Sequence, residues 1–272
     1  MMQRPALLEA LDENMAVHAA WIHRRVPGMV VRDDGGFLLV DSGLPSDTFN
    51  LVCRARLDSA DASARAAEGV EWFRTRDRPF SWWVGPADTP ADLGATLCRL
   101  GLEPAESETV MVAEIERLRP EALPDGIEVR RAETRAQLRE FAAINAANWD
   151  PPDEHVMRFY EAAAQLLLEP DVPIAMHVAC LHGVAVATVE VTTAAGVAGI
   201  YNVSTLAHWR NRGFASALLR HVLVDARERG IHCSALQAAP GAVSIYRRLG
   251  FEAIGEVTEY KPASLGGMQP VP

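Results

Sequence analysis

Two periods of apolar residues run along the chain, and the places where the period changes mark its elements. In the second half, residues 127–133 alternate with period two and predict a strand. Residues 135–149 and 154–168 carry apolar side chains at helical spacing, with Pro151 and Pro152 forcing a break between them. Three strands follow at 174–181, 184–192 and 197–206, turned at His182-Gly183 and Ala195-Gly196. A helix is predicted over 214–229, with Leu218, Leu219, Val222, Leu223 and Ala226 as its buried stripe and Gly230 as its stop. A strand at 232–238, a helix at 242–249 and a strand at 252–261 complete the half. Strands joined first by hairpins and then by helical crossovers predict a mixed α/β sheet with helices on both faces.

The first half repeats part of this pattern. Residues 81–86 and then a helical stretch ending at Leu100-Gly101 match residues 233–238 and the stretch ending at Leu249-Gly250, about 149 positions later. Gly101 and Gly250 fall where a helix end needs a left-handed residue. The helices before these strands also correspond, 62–76 with 215–229. The expected organisation is a duplication: a domain at 1–118, a linker at 119–126 punctuated by Pro120 and Pro124, a domain at 127–262, and a tail at 263–272. Chance is the competing reading, since Leu-Gly after a helix is common.

Composition narrows the class. The 272 residues suit two domains, and 49% hydrophobic content suits a globular core. No apolar run approaches the length of a membrane span, and acidic residues follow the N-terminus where a secretory signal would be apolar, so a cytoplasmic protein is expected. A net charge of −10 argues against a nucleic-acid partner and suits a cationic amine. Cys53, Cys98, Cys180 and Cys233 lie far apart among apolar neighbours, so buried free thiols are expected, with no metal site. Lys261 is the only lysine, which reads as compositional bias.

Candidate chemistry concentrates in residues 203–216, a strand, a turn and a helix start. Small residues at Gly213, Ala215 and Ser216 let a ligand approach the backbone, where amide N–H groups lack intrahelical partners and the helix dipole adds positive charge. Such a place binds phosphate or pyrophosphate without a lysine. Many helices also begin with Gly and Ala and bind nothing.

The context of this stretch carries a resemblance. Arg210-x-x-Gly213-x-Ala215 resembles the Arg/Gln-x-x-Gly-x-Gly/Ala signature of the GNAT superfamily of N-acetyltransferases. Its flank 205–210 is similar to the family's Val-x-Pro-x-Tyr-Arg run, with Ala207 in place of proline and Trp209 in place of tyrosine. Thirty-three residues after Gly213 comes Tyr246, within a second stretch resembling a family motif. The resemblance covers about half the chain and implies tandem GNAT-like folds, each a mixed central sheet flanked by helices with splayed parallel strands. It further implies acetyl-CoA in the resulting fork, with backbone groups of Val203 and Thr205 on its pantetheine arm and thioester carbonyl, amides of Asn211, Arg212, Gly213, Phe214, Ala215 and Ser216 at its pyrophosphate, and Ser204 and Arg210 also among the cofactor-binding residues. Tyr246 would protonate the departing thiolate, since a phenol with a pKa near ~10 keeps its proton at neutral pH. A packing role is the alternative for Tyr246.

The family's frequent Asn before the second helix is missing, with Ala239-Pro240-Gly241 in its place. Glu190 is the carboxylate candidate for a general base, against the alternative of an outward, solvated glutamate; His177 and His208 read as surface or core residues. Asn148, Trp149 and Tyr160 lie on the two stretches that roof the acceptor site in this family and are candidates for a substrate pocket. The first copy has Leu97 where the second has Tyr246 and lacks the Arg-x-x-Gly-x-Ala pattern, and Trp82-Trp83 reads as core and interface. It is expected to be a degenerate copy without cofactor. The implied function is acetyl transfer from acetyl-CoA to a primary amine of a small molecule or peptide, by a monomer or homodimer. The alternatives are a non-catalytic acetyl-CoA sensor and another mononucleotide binder. Hairpin strands before Gly213 speak against a Rossmann site.

Overall fold

The computed structural model describes residues 3–34, 36–118 and 123–263. Half of the expected linker, 119–122, and all but the first residue of the tail, 264–272, therefore lie outside the described residues. The chain divides into two compact units, one of Met111–Ala253 and one of the residues up to Val110 together with those from Ile254 on. The strand β5 (Leu102–Glu114) starts in the first and ends in the second, and the last strand, β11 (Glu252–Pro262), runs the opposite way. This division differs from the expected 1–118 and 127–262, because β11 pairs with β4 of the first unit through residues 258–260.

The first unit contains α1 (Arg4–Ala20), β1 (Val30–Asp33), β2 (Leu38–Asp41), β3 (Asn50–Cys53), α2 (Ala62–Arg74), β4 (Ser81–Val84) and α3 (Leu93–Arg99). Its strand order is β1-β2-β3-β4-β11-β5, with β3 and β4 parallel and β1-β2, β2-β3 and β4-β11 antiparallel. The two faces separate by alternation. Leu38, Val40, Leu51 and Cys53 pack on Ala16, Ala19 and Ala20 of α1. Leu39 and Val52 pack with Phe37 and Trp82 on Ala66, Val70 and Phe73 of α2 and Leu93 and Leu97 of α3.

The second unit runs β6 (Ile127–Arg131), α4 (Arg135–Ala146), α5 (Glu154–Leu167), β7 (Ile174–Leu181), β8 (Val184–Ala194), β9 (Val197–Thr205), α6 (Phe214–Glu228), β10 (Cys233–Ala238) and α7 (Val243–Arg248). Its order is β10-β9-β8-β7-β6, antiparallel except for the parallel pair β9-β10, with the end of β5 beside β10. Val189 and Val191 of β8 enter the core with the predicted stripe of α6 and with Tyr246, Leu249 and Phe251. Thr188 and Glu190 face the other way, bonded to Asn145 of α4 and Tyr160 of α5.

Element ends carry local reasons. Gly101 and Gly250 take φ of 88° and 96°, the left-handed values expected after α3 and α7. The helix expected over 135–149 ends at Ala146, where the N–H of Trp149 turns back to the Ala146 carbonyl and Asp153 caps α5 through the His155 N–H at 2.8 Å. Among the cysteines, Cys53 and Cys180 are buried, but Cys98 is exposed, because it falls on the outer side of the short α3. Among the described residues, no helix is long and apolar enough to cross a membrane.

Candidate active site

The site begins where two parallel strands part. β9 and β10 pair from Val197↔Cys233 to Ile200↔Leu236, and β9 then continues to Thr205 without that partner. At this fork β9 is irregular: Thr188 faces Ser204, but Glu190 faces Tyr201, so β9 holds one residue more than β8. The extra residue makes a β-bulge, with Asn202 left-handed at φ 51°. The bulge resets the alternation. Ala198 and Ile200 face α6, and after the bulge it is Val203 and Thr205 that face it.

Val203 and Thr205 line a cavity of about 500 Å³ between β9, the start of α6 and α7. The turn from β9 to α6 puts Asn211 at φ 62° and Gly213 at φ 81°, and a Cβ built on Gly213 would meet nothing within 4 Å. The first intrahelical bond runs from Ala217 N to Gly213 O at 2.9 Å, so the N–H groups of Phe214, Ala215 and Ser216 point out of the helix start. Arg210, Arg212 and Arg248 line the same cavity, and no Asp or Glu is among the lining residues. Arg210 is braced by its Nε donating to Thr205 O at 3.2 Å, and Arg212 stacks over Trp209 at 4.6 Å. In a chain of net charge −10, this is a local reversal of sign.

The structure gathers nine of the ten proposed cofactor residues and Tyr246 around this one cavity. Tyr246 is 9% exposed, on α7, with its ring 6.0 Å from Phe251. Ser204 is the exception. It is buried on the opposite face, and its hydroxyl donates to Asn148 Oδ1 at 2.9 Å. Arg248, Ala242 and Ile245 also line the cavity and were not proposed from the sequence as site residues, and Trp209, noted there only as a departure from the motif, lines it too. Arg248 had a signal, two positions after Tyr246 on the same short helix.

Across the sheet, Glu190 is 2% exposed, which corrects the reading of a solvated glutamate. Helices α4 and α5 cover its face of β8. Its carboxylate accepts from Tyr160 Oη at 3.2 Å, Asn202 Nδ2 at 2.9 Å and Thr192 Oγ1 at 3.3 Å. Burial, then the Glu190 charge, pushes the Tyr160 phenol well above its ordinary value, so it stays protonated. Tyr160 and Asn148 are thus joined to β9, whereas Trp149 lies half-buried in the turn after α4, outside this network. His177 is buried in β7, where burial lowers its imidazole to about 4, and His208 is exposed. Among the described residues, no group of His, Cys, Asp and Glu could hold a metal ion.

The first unit differs at the corresponding place. After Leu51↔Ser81 and Val52↔Trp82, the Thr89 N–H bonds Ala55 O at 3.0 Å and Thr89 O accepts from Leu57 N at 3.1 Å. The gap between β3 and β4 is bridged by this loop, and Arg56 ties it to Asp88 at 2.8 Å. Ahead of α2, Asp58 accepts from Ala60 N at 3.0 Å and Asp61 stands at the N-cap position without a side-chain bond to the helix, so two acidic residues flank the helix start. Leu97 is fully buried.

A family model described as an acetyltransferase (GNAT) domain matches residues 131–254. Among solved structures, the chain is similar to a GCN5-related N-acetyltransferase from Kribbella flavida, at 19% identity and a TM-score of 0.74, covering 96% of this chain and 99% of that one. It is also similar to a GCN5-related N-acetyltransferase from Sphaerobacter thermophilus, at 19% identity and a TM-score of 0.62 over 94% and 91% of the two chains. A tandem GNAT protein from the clavulanic acid biosynthesis pathway matches at 14% identity and a TM-score of 0.59, over 97% of each chain. A search of the curated proteins finds no match. At these identities the solved structures establish the fold, over nearly the whole chain, and the domain match adds the family for residues 131–254, a little under half of it. Residues 131–254 thus carry a GNAT acetyltransferase domain, and the chain as a whole has the fold of these acyltransferases.

Proposed function

We propose that the chain transfers the acetyl group of acetyl-CoA to a primary amine of a small molecule or peptide in the cytoplasm, using one site in its second unit. The observation that carries this reading is the cavity at the fork, with three arginines, a helix start of outward N–H groups and no lining carboxylate, in an otherwise acidic protein. That donor set fits a pyrophosphate. Bound there, acetyl-CoA would supply an activated acetyl carbon whose C–S bond breaks as the amine nitrogen bonds to it.

The residues of the chain supply position and protons. Amides from Asn211 to Ser216, with Arg210 and Arg212, hold the phosphates, and β9 beyond Ile200 offers backbone groups left without β10. Tyr246 donates its phenolic proton to the leaving sulfur. Glu190, opposite the first residue past the paired part of β9, receives the proton lost by the amine. Holding both reactants at the fork supplies much of the rate. We read the first unit as a degenerate copy without cofactor, supported by the Thr89 bridge and by Asp58 and Asp61 at its helix start.

The test is calorimetric titration of acetyl-CoA into the native protein and into Gly213→Glu. Saturable one-to-one binding in the native protein and none in the variant is expected, because the substitution puts bulk and negative charge at the phosphate position. Equal affinity in the two would remove the site from this cavity. Binding without thiol release across a panel of amines would favour the sensor.

A further inference from the structure

The bulge in β9 is held from two sides. On the backbone side, Thr188 Oγ1 donates to Asn202 O at 3.1 Å, and Asn145 Nδ2 donates to Thr188 Oγ1 at 3.3 Å. On the side-chain side, Asn202 Nδ2 donates to Glu190 Oε2 at 2.9 Å and to Tyr160 Oη at 3.1 Å. A carboxylate only accepts, so the amide must present its NH2 group there. Asn202 also sits at φ 51°, a region that glycine and asparagine enter more readily than other residues. A single side chain therefore answers two demands, one from the backbone and one from the carboxylate. It is also the exposed member of a network whose other members, Glu190, Tyr160, Thr188 and Asn145, are at most 5% exposed.

We infer that Asn202 is the positioning residue of the transfer site, fixing the buried Glu190 carboxylate beside the fork while holding the bulge that turns Val203 and Thr205 into the cavity. The inference rests on the proposed transferase reading. Glycine at 202 keeps the left-handed backbone and loses the amide. Aspartate keeps the shape but sets a second carboxylate against Glu190.

The experiment compares Asn202→Gly and Asn202→Asp with the native protein in acetyl-CoA titration, in steady-state acetylation and in urea unfolding. The unfolding series adds Glu190→Gln and the Asn202→Gly/Glu190→Gln pair. Both single variants at 202 are expected to keep native acetyl-CoA affinity within about threefold. Their kcat should fall, up to about 100-fold for a displaced catalytic group, with the larger loss in Asn202→Asp. The shifts in urea midpoint of the two single changes should overlap in the pair rather than add. Native kcat in Asn202→Gly, or strictly additive midpoint shifts, would overturn the inference. A loss of acetyl-CoA affinity in step with turnover would reduce Asn202 to a part of the cofactor cradle. Absence of acetylation by the native protein would instead count against the transferase reading, and the unfolding series would still decide whether Asn202 and Glu190 are coupled.

Discussion

Tyr246 shows what a single residue contributes. Its ring packs in the core with Leu249 and Phe251 while also lining the cavity, so packing and chemistry are not alternatives at this position. Replacing it by phenylalanine keeps the packing and removes the proton. Tyr246→Phe should lower kcat by roughly 10²–10⁴-fold, the range for a positioned proton donor, with acetyl-CoA affinity unchanged. A steady-state assay beside a calorimetric titration checks this, and unchanged turnover would leave Tyr246 as core. Its position was legible because the second motif is contiguous on one short helix. Glu190 was named from the sequence, but its burial was not legible. In the run Thr188 to Thr192 the valines mark one face as core, and nothing local says that α4 and α5 bury the other.

At the scale of elements, α6 joins core to site. Its stripe of Leu218, Leu219, Val222, Leu223 and Ala226 was readable from helical spacing, and all five are buried. Packing of the stripe fixes the line of the helix axis, and the N–H groups of the first turn, which lie along that axis, face the cavity. Leu218→Ala, at a fully buried position, should cost about 2–5 kcal/mol by urea unfolding, as large-to-small core changes do. A loss under about 1 kcal/mol would mean that the α6 interface is loosely packed. The bulge of β9 is the contrasting case. Residues 197–206 read as one regular strand, yet the register shift at Asn202 decides that Val203 and Thr205, not Asn202 and Ser204, line the cavity. A one-residue slip reverses faces without altering the apolar count of the segment.

For the molecule as a whole, charge and chain routing matter more than any one element. In the first unit, burial, and then the neighbouring Glu106 and Glu259, raises the half-buried Glu108 to about 7. A carboxyl raised on folding favours the folded state while it is protonated. That contribution is complete below pH 4.5 and is lost as pH rises through about 7. Glu108→Gln cannot ionise, so it should match the native protein near pH 5 and exceed it at pH 8, by on the order of 1–2 kcal/mol after solvent screening. Urea midpoints at the two pH values test this, and an equal difference at both would exclude a titrating Glu108.

The sequence by itself determined the element series of the second half, the strand-turn-helix that forms the helix-start site, and the similarity of the two halves. These depend on periodicity and on residues adjacent in the chain, where local sterics and helix geometry act. The division into units was decided only by tertiary structure, since residues 258–260 of β11 pair with β4, more than 150 residues earlier. So were the closure of the first unit by Thr89, the burial of Glu190 and the side of β9 that meets the cavity. Each of these depends on which distant segment satisfies a strand's hydrogen bonds or covers its second face. Periodicity shows that a strand has two faces, but only the folded chain shows what lies against each.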